Sequence, residues 1–251
     1  MTQRLTGRTA LVTGSTTGLG AAIAAALAAE GAFVVVSGRD ETRGADVVAR
    51  IGKDGGSAAF VGADLSGGAD AIGRFATDAL AAAGGRIDVL VNNAALLLAP
   101  APTAQVPQET FDQALAVSVR SVFLLTGLLA PPMAERGHGA VINLGSINGM
   151  RGMAHSALYS MTKAAVHSLT ASWAAEYGPH GVRVNTVAPG PTLTDKVAAM
   201  AEHLTPVISR IPARRAGAPA EVAAAVVFLA SDEASHIHGA TLTVDGGYTA
   251  V

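Results

Sequence analysis

Of the three tyrosines in the chain, only Tyr159 has a lysine four residues on, at Lys163. On a helix that spacing puts both side chains on one face, within reach of each other. A free phenol titrates near 10, too high for a base at neutral pH. An ammonium a few ångströms away favours the phenolate, and a fall of two units corresponds to about 2.7 kcal/mol. That is enough to make the phenol a usable proton donor and acceptor. Tyr-x-x-x-Lys alone is also an ordinary surface pair. Ser146, however, lies thirteen residues before Tyr159 and just beyond an apolar run at 141–144. Ser, Tyr and Lys converging beside a dinucleotide make a site for proton transfer at an oxygen while hydride moves at its carbon.

The second feature is glycine-rich. Thr13-Gly14-Ser15-Thr16-Thr17-Gly18-Leu19-Gly20 closes the apolar run 9–13 and enters a helical stretch beginning near Leu19. Gly14, Gly18 and Gly20 permit a tight turn and let backbone approach a pyrophosphate. The helix start then offers free N–H groups and a positive dipole end. The spacing is not G-x-G-x-x-G, and in a chain with 29 glycines a plain turn is the other reading. About twenty residues beyond such a loop, a carboxylate suits a ribose 2′-OH and an arginine suits a 2′-phosphate. Here the next strand ends Val36-Ser37-Gly38-Arg39. With no carboxylate at Gly38, a forked cation at Arg39 and a hydroxyl at Ser37, NADP(H) is favoured over NAD(H). Asp40 carries the contrary sign and either points outward or caps the next helix.

These groups need a scaffold, and the chain alternates accordingly. Apolar, β-rich runs at 9–13, 33–37, 58–62, 89–91, 141–144, 182–187 and 241–244 alternate with helical stretches near 19–30, 42–51, 69–83, 109–130, 157–177 and 219–230. Continuous apolar strands are covered on both faces. The pattern predicts an α/β, Rossmann-type doubly wound sheet of seven mostly parallel strands with helices on both faces. No repeat or linker divides residues 1–251, so one domain is expected. The Pro-punctuated segment 191–218 breaks the rhythm. Val197, Met200, Ala201 and Leu204 form an apolar stripe there, which reads as a substrate-binding loop or lid, or as a surface insertion.

Composition narrows the classes. The chain is 50% hydrophobic and 14% charged, too apolar for disorder. It has no cysteine, hence no disulfides, thiolate metal site or cysteine nucleophile. His236-Ile237-His238 has chelating spacing but lacks a partner acid, so no metal is expected. Net charge is −2 with interspersed signs, which argues against nucleic acid. The uncharged stretch 9–29 is long enough to mimic a signal or membrane span, but the polar glycine loop interrupts it. A cytoplasmic protein without a membrane segment is expected. Ser146 lacks the first glycine of G-x-S-x-G, against a serine hydrolase.

At this point the chain resembles the short-chain dehydrogenase/reductase family, in its classical branch, over nearly everything from Gly7 to Tyr248. The marks come in the family's order: Thr13-Gly14-x-x-x-Gly18-x-Gly20, Asp64-Leu65, Asn92-Asn93-Ala94-Ala95, Ser146, Tyr159 with Lys163, Pro189-Gly190, and Val244-Asp245-Gly246-Gly247. The resemblance implies that Tyr159 is the acid/base. Lys163 would hold the nicotinamide ribose and depress the Tyr159 pKa, and Ser146 would bond the substrate oxygen. It further implies cofactor contacts from Gly14, Ser15, Thr17, Gly18 and Leu19. Ser37, Gly38 and Arg39 would line the ribose end, Asp64 and Leu65 the adenine. Asn92 and Ala94 would steady the cofactor side of the sheet, with Pro189 and Gly190 beyond, and Thr192 and Thr194 facing the carboxamide.

Two departures stand out. Ser118, in Val117-Ser118-Val119, replaces the family's usual Asn, which supports a water relaying protons from the lysine; the resemblance implies a catalytic role rerouted through its hydroxyl. Ala95 replaces a usual Gly. The implied reaction is reversible hydride transfer between NADP(H) and a small carbonyl/secondary alcohol pair, ketone or 3-oxoacyl. Val197, Met200 and Leu204, with Met150 and Met153 across the cleft, favour an apolar substrate. His155, near the same loop, either touches substrate or is simply solvated. A homotetramer through the long helices and the C-terminal strand is implied. Arg120, Arg151 and Arg214-Arg215 are the candidates should a carrier protein dock. The alternative from another class is a non-catalytic dinucleotide-binding Rossmann protein, a sensor or assembly subunit. Intact Ser146, Tyr159 and Lys163 argue against it.

Overall fold

In the computed structural model, which describes residues 3–194 and 207–251, the uncharged stretch 9–29 becomes strand β1 (Thr9–Val12), the glycine loop, and helix α1 (Gly18–Ala29). The alternation then continues through β2 (Phe33–Gly38), α2 (Glu41–Lys53), β3 (Ser57–Gly62), α3 (Ala69–Ala82) and β4 (Val89–Asn92). Next come α4 (Gln108–Leu115) and α5 (Ser121–Glu135), joined without a break by a π-turn at Ala116–Arg120, and β5 (Gly139–Leu144). Then follow α6 (Ala157–Tyr177), β6 (Val182–Pro189), α7 (Pro219–Ala230) and β7 (Thr241–Val244). The run Gln108–Glu135 is apolar and long enough to cross a membrane, and half of its most apolar window is buried within the fold.

The strands lie in the order β3-β2-β1-β4-β5-β6-β7, every neighbouring pair parallel. The chain reverses direction across the sheet between β1 and β4, the crevice where doubly wound sheets bind ligands. Several strands outrun their apolar cores because pairing continues: Asn92 lies opposite Asn143, and Pro189 opposite Val244. Two-sided burial follows from the period-2 alternation. Val12, Val34, Val36 and Val91 pack against α1, α2 and α7. Their neighbours Leu11, Val35, Leu90 and Val141 pack against α3, α5 and α6. The carboxyl ends of the strands are thereby held rigid under the loops that carry the chemistry.

The two ends of segment 191–218 pair with each other. Thr192 pairs with Gly217, the Leu193 N–H donates to Gly217 O (2.8 Å), and the Gly217 N–H donates to Pro191 O (2.9 Å). The predicted stripe of Val197, Met200, Ala201 and Leu204 lies outside the described residues.

Candidate active site

Strand β5 runs straight into Gly145 and Ser146, and α6 starts at Ala157, so Tyr159 and Lys163 fall on its first two turns. The three predicted residues converge. Lys163 is buried (5% exposed) and its Nζ donates to Leu144 O at 2.7 Å. The same Nζ stands 5.8 Å from the centre of the Tyr159 ring. Ser146 is nearly buried, and its Oγ accepts the Asn148 N–H at 3.2 Å. A Cβ on Gly145 would strike the His167 ring, so only glycine lets α6 lie this close to the end of β5.

The electrostatics differ from the expectation. Burial pushes the Tyr159 phenol up, and a hydrogen bond with the Ser146 hydroxyl offsets part of that. The expected depression by Lys163 is not among the influences on Tyr159, and Lys163 itself loses water: burial lowers its ammonium to about 8. Tyr159 is therefore set as a protonated acid, beside a lysine that can itself exchange a proton near neutrality.

The groove between the carboxyl ends of β1 and β4, about 670 Å³, is lined by Gly14, Thr17, Gly18, Leu19, Ser37, Gly38, Arg39, Asp64, Leu65, Ala94 and Thr194, as the sequence predicts. Gly14 and Gly18 have φ of +62° and +54°, which favour glycine. A Cβ on Gly20 would collide with the Gly14 carbonyl. At Gly38 a Cβ would lie 2.7 Å from the Thr16 Cγ2, so a larger residue there requires the Thr16 side chain to shift. Asp40 is not a free contrary charge. It caps α2, accepting the Arg43 N–H at 3.0 Å, and pairs with Arg43 Nε at 3.2 Å. The Asp64 carboxyl is held below its usual range, first by the Ser66 N–H and hydroxyl, with Arg39 adding to it. The glycine cradle and the helix start fit a nicotinamide dinucleotide.

Other predicted residues are engaged within the protein. Ser15 faces inward: its Oγ donates to Val12 O (2.7 Å) and accepts the Ser37 N–H (2.9 Å), while its own N–H donates to Ser37 O (2.8 Å). Asn92 is also buried, its Nδ2 donating to Asn143 Oδ1 (2.9 Å) and Thr126 Oγ1 (3.1 Å). Its neighbour Asn93 lines the groove instead, donating to Thr13 O and Gly14 O (2.8 and 3.0 Å). Pro189, Gly190 and Thr192 lie off the groove wall. Thr192 donates to Gly190 O (3.0 Å), and Gly190 packs on Asp245. Ser118 is buried on the π-turn, its Oγ accepting the Leu96 N–H at 3.2 Å. That is a bond to the β4–α4 loop, not to Tyr159 or Lys163.

The sequence reading missed Thr16, Arg43, Asn93, Leu96, Leu97, Gln113 and Val117 in the groove wall. Arg43 stands on the first turn of α2, four residues beyond Arg39, and lines the same groove. His155 adopts a left-handed backbone (φ 63°), its carbonyl accepting the Ala101 N–H at 2.8 Å.

A family model described as enoyl-(acyl carrier protein) reductase matches residues 14–249. The chain is 41% identical over 245 residues to cis-4-hydroxycyclohexanecarboxylate dehydrogenase of Sinomonas cyclohexanicum, spanning 97% of each. It is 33% identical over 247 residues to the 3-oxoacyl-(acyl-carrier-protein) reductase of Thermotoga maritima, spanning 97% of this chain and 98% of that one. The structure of a 3-oxoacyl (acyl-carrier-protein) reductase from Agrobacterium tumefaciens C58 with NADP bound matches with a TM-score of 0.92 at 36% identity, covering 98% of this chain and 96% of that one. Fold and site together define an oxidoreductase of CH–OH/C=O pairs that uses a nicotinamide dinucleotide. The chain belongs to the short-chain dehydrogenase/reductase family, in its classical branch.

Proposed function

We propose that the protein interconverts a largely apolar ketone or 3-oxoacyl carbonyl and its secondary alcohol, preferring NADP(H), with Tyr159 as acid/base. The observation that carries this reading is the convergence of Ser146, Tyr159 and Lys163 at the end of β5, in a sheet whose β1–β4 groove presents Arg39 and Arg43. When bound, the nicotinamide supplies or accepts the hydride at the carbon. Ser146 donates a hydrogen bond to the substrate oxygen. Tyr159, kept protonated by burial, gives its proton to that oxygen as negative charge develops there. Lys163 then faces the phenolate, stabilises it, and with a pKa of about 8 is suited to return the proton. Ser118 accepts the Leu96 N–H and so supports a groove loop.

A cavity of about 710 Å³ bordering Tyr159 supports an apolar substrate, with Leu98, Ala99, Val106, Phe111 and Met161 in its wall. His155 lines the same cavity. We further read the chain as one cytoplasmic catalytic domain that assembles as a homotetramer. The carrier-docking candidates are engaged within the chain: Arg151 with Tyr248 O and Val251 O, Arg214 with Ser209 O, and Arg215 with Glu221.

The test is titration of the purified protein with NADPH and NADH, wild type beside Arg39→Ala and Tyr159→Phe. NADPH is expected to bind about tenfold tighter or more, and Arg39→Ala to erase the difference. Tyr159→Phe is expected to bind normally but to reduce ketones about 10²–10⁴-fold more slowly. Equal affinity for NADH would overturn the 2′-phosphate reading, and an active Tyr159→Phe the acid/base.

A further inference from the structure

The five residues of the π-turn Ala116–Arg120 touch both sides of the groove. Ser118 Oγ accepts the Leu96 N–H at 3.2 Å, in the loop after β4. Arg120 Nη2 donates to Ser66 O at 2.8 Å and to Gly67 O at 2.9 Å, in the loop after β3. Between them Val117 faces the groove itself, as do Leu96 and Ser66. Residues two apart on a helix point about 200° from each other, which is how one turn reaches two loops. A π-turn in a helix is uncommon and recurs at functional sites. Within the Ser66 loop, Asp64 Oδ1 accepts both the Ser66 N–H (2.9 Å) and the Ser66 hydroxyl (2.7 Å). Whatever fixes Ser66 therefore also fixes Asp64.

We propose that this π-turn is a strut setting the span of the dinucleotide groove, and that Arg120 is the positioning residue for its adenine-side wall. The inference rests on the dinucleotide reading above. Arg120 does not contact the cofactor in this account. It holds two carbonyls whose loop presents Asp64, Leu65 and Ser66 to the adenine end. Loss of the strut should therefore weaken binding of the adenosine half and leave the chemical step alone.

The experiment compares wild type, Arg120→Ala and Arg120→Lys in three readouts. The first is amide hydrogen exchange at residues 65–68 without ligand. The second is affinity for adenosine 2′,5′-bisphosphate, which occupies only the adenine end, at low and high salt. The third is kcat and KM for NADPH. Arg120→Ala is expected to speed exchange at 65–68, to weaken the bisphosphate and raise the NADPH KM about tenfold at both salt concentrations, and to leave kcat within about twofold. Arg120→Lys, which can still donate to a carbonyl, is expected to restore most of the exchange protection and affinity. Unchanged exchange with a binding defect that fades in salt would mean that Arg120 acts only as a positive charge, and would overturn the proposal. So would a fall in kcat with KM unchanged, or an Arg120→Ala protein that binds as wild type does. Failure of wild type to bind any nicotinamide dinucleotide would instead sink the dinucleotide reading, which the wild-type titration detects on its own.

Discussion

Lys163 shows how a residue proposed for catalysis works against stability. Its ammonium is buried with Leu144 O as its hydrogen-bond partner. Burial lowers it from 10.5 to about 8, a gap of about 3 kcal/mol against the charged folded form. Because the folded-state pKa lies below the unfolded one, the penalty is full below about pH 8. It is relieved as pH rises from there and is gone above the unfolded lysine's value. Lys163→Met should therefore abolish turnover yet stabilise the fold at pH 7 by about 2 kcal/mol, after about 1 kcal/mol for the lost hydrogen bond. The gain should cross zero between about pH 9 and 10 and turn into a loss of about 1 kcal/mol above pH 10.5, where only the lost hydrogen bond remains; urea unfolding at pH 7 and above pH 10.5 checks it. The pairing of Tyr159 with Lys163 was legible because helical period alone sets it. That Asn93 and not Asn92 faces the groove was not, since adjacent residues at a strand end point opposite ways. Which one faces the ligand depends on where β4 stops pairing with β5.

Among the elements, α7 owes its ending to a residue on another strand. Arg183 of β6 is buried and donates to the carbonyls of Leu229 (2.5 Å), Ala230 (3.3 Å) and Ser231 (3.0 Å). These are last-turn carbonyls that a helix cannot satisfy itself. Arg183→Leu keeps bulk but strands them, and should cost about 2–4 kcal/mol in urea unfolding at pH 7. A cost below about 0.5 kcal/mol would show that solvent replaces the guanidinium. The existence and order of the seven strands and of the helices were readable, because two-sided burial leaves unbroken Val, Leu and Ala runs. The π-turn was not. Ala116-Val117-Ser118-Val119-Arg120 carries no glycine or proline to announce an extra residue in the turn; the contacts of Ser118 and Arg120 with two separate loops single it out.

For the molecule as a whole, the surface of α4, α5 and α6 is unusually apolar. Phe123 and Leu128 are each more than a third exposed, and Phe123 leans on Trp173 with ring centres 6.0 Å apart. On the proposed tetramer these side chains are covered, and light scattering should give the mass of four 25.0 kDa chains. Phe123→Glu should reduce that mass while leaving the far-UV circular dichroism intact; a monomeric wild type would refute the assembly. The sequence by itself determined the alternating architecture, the glycine cradle and the Ser–Tyr–Lys trio. Each is written in local spacing, in the period of a strand, the turn of a helix or the need for a missing Cβ. Only the tertiary structure decided which polar groups remain free to meet a ligand. Ser15 and Asn92 have suitable chemistry and suitable positions in the chain, yet each spends its donors on partners 3 and 51 residues away. The protonation of Tyr159 and Lys163 belongs to the same category, because it depends on how much water the packed helices and strands exclude.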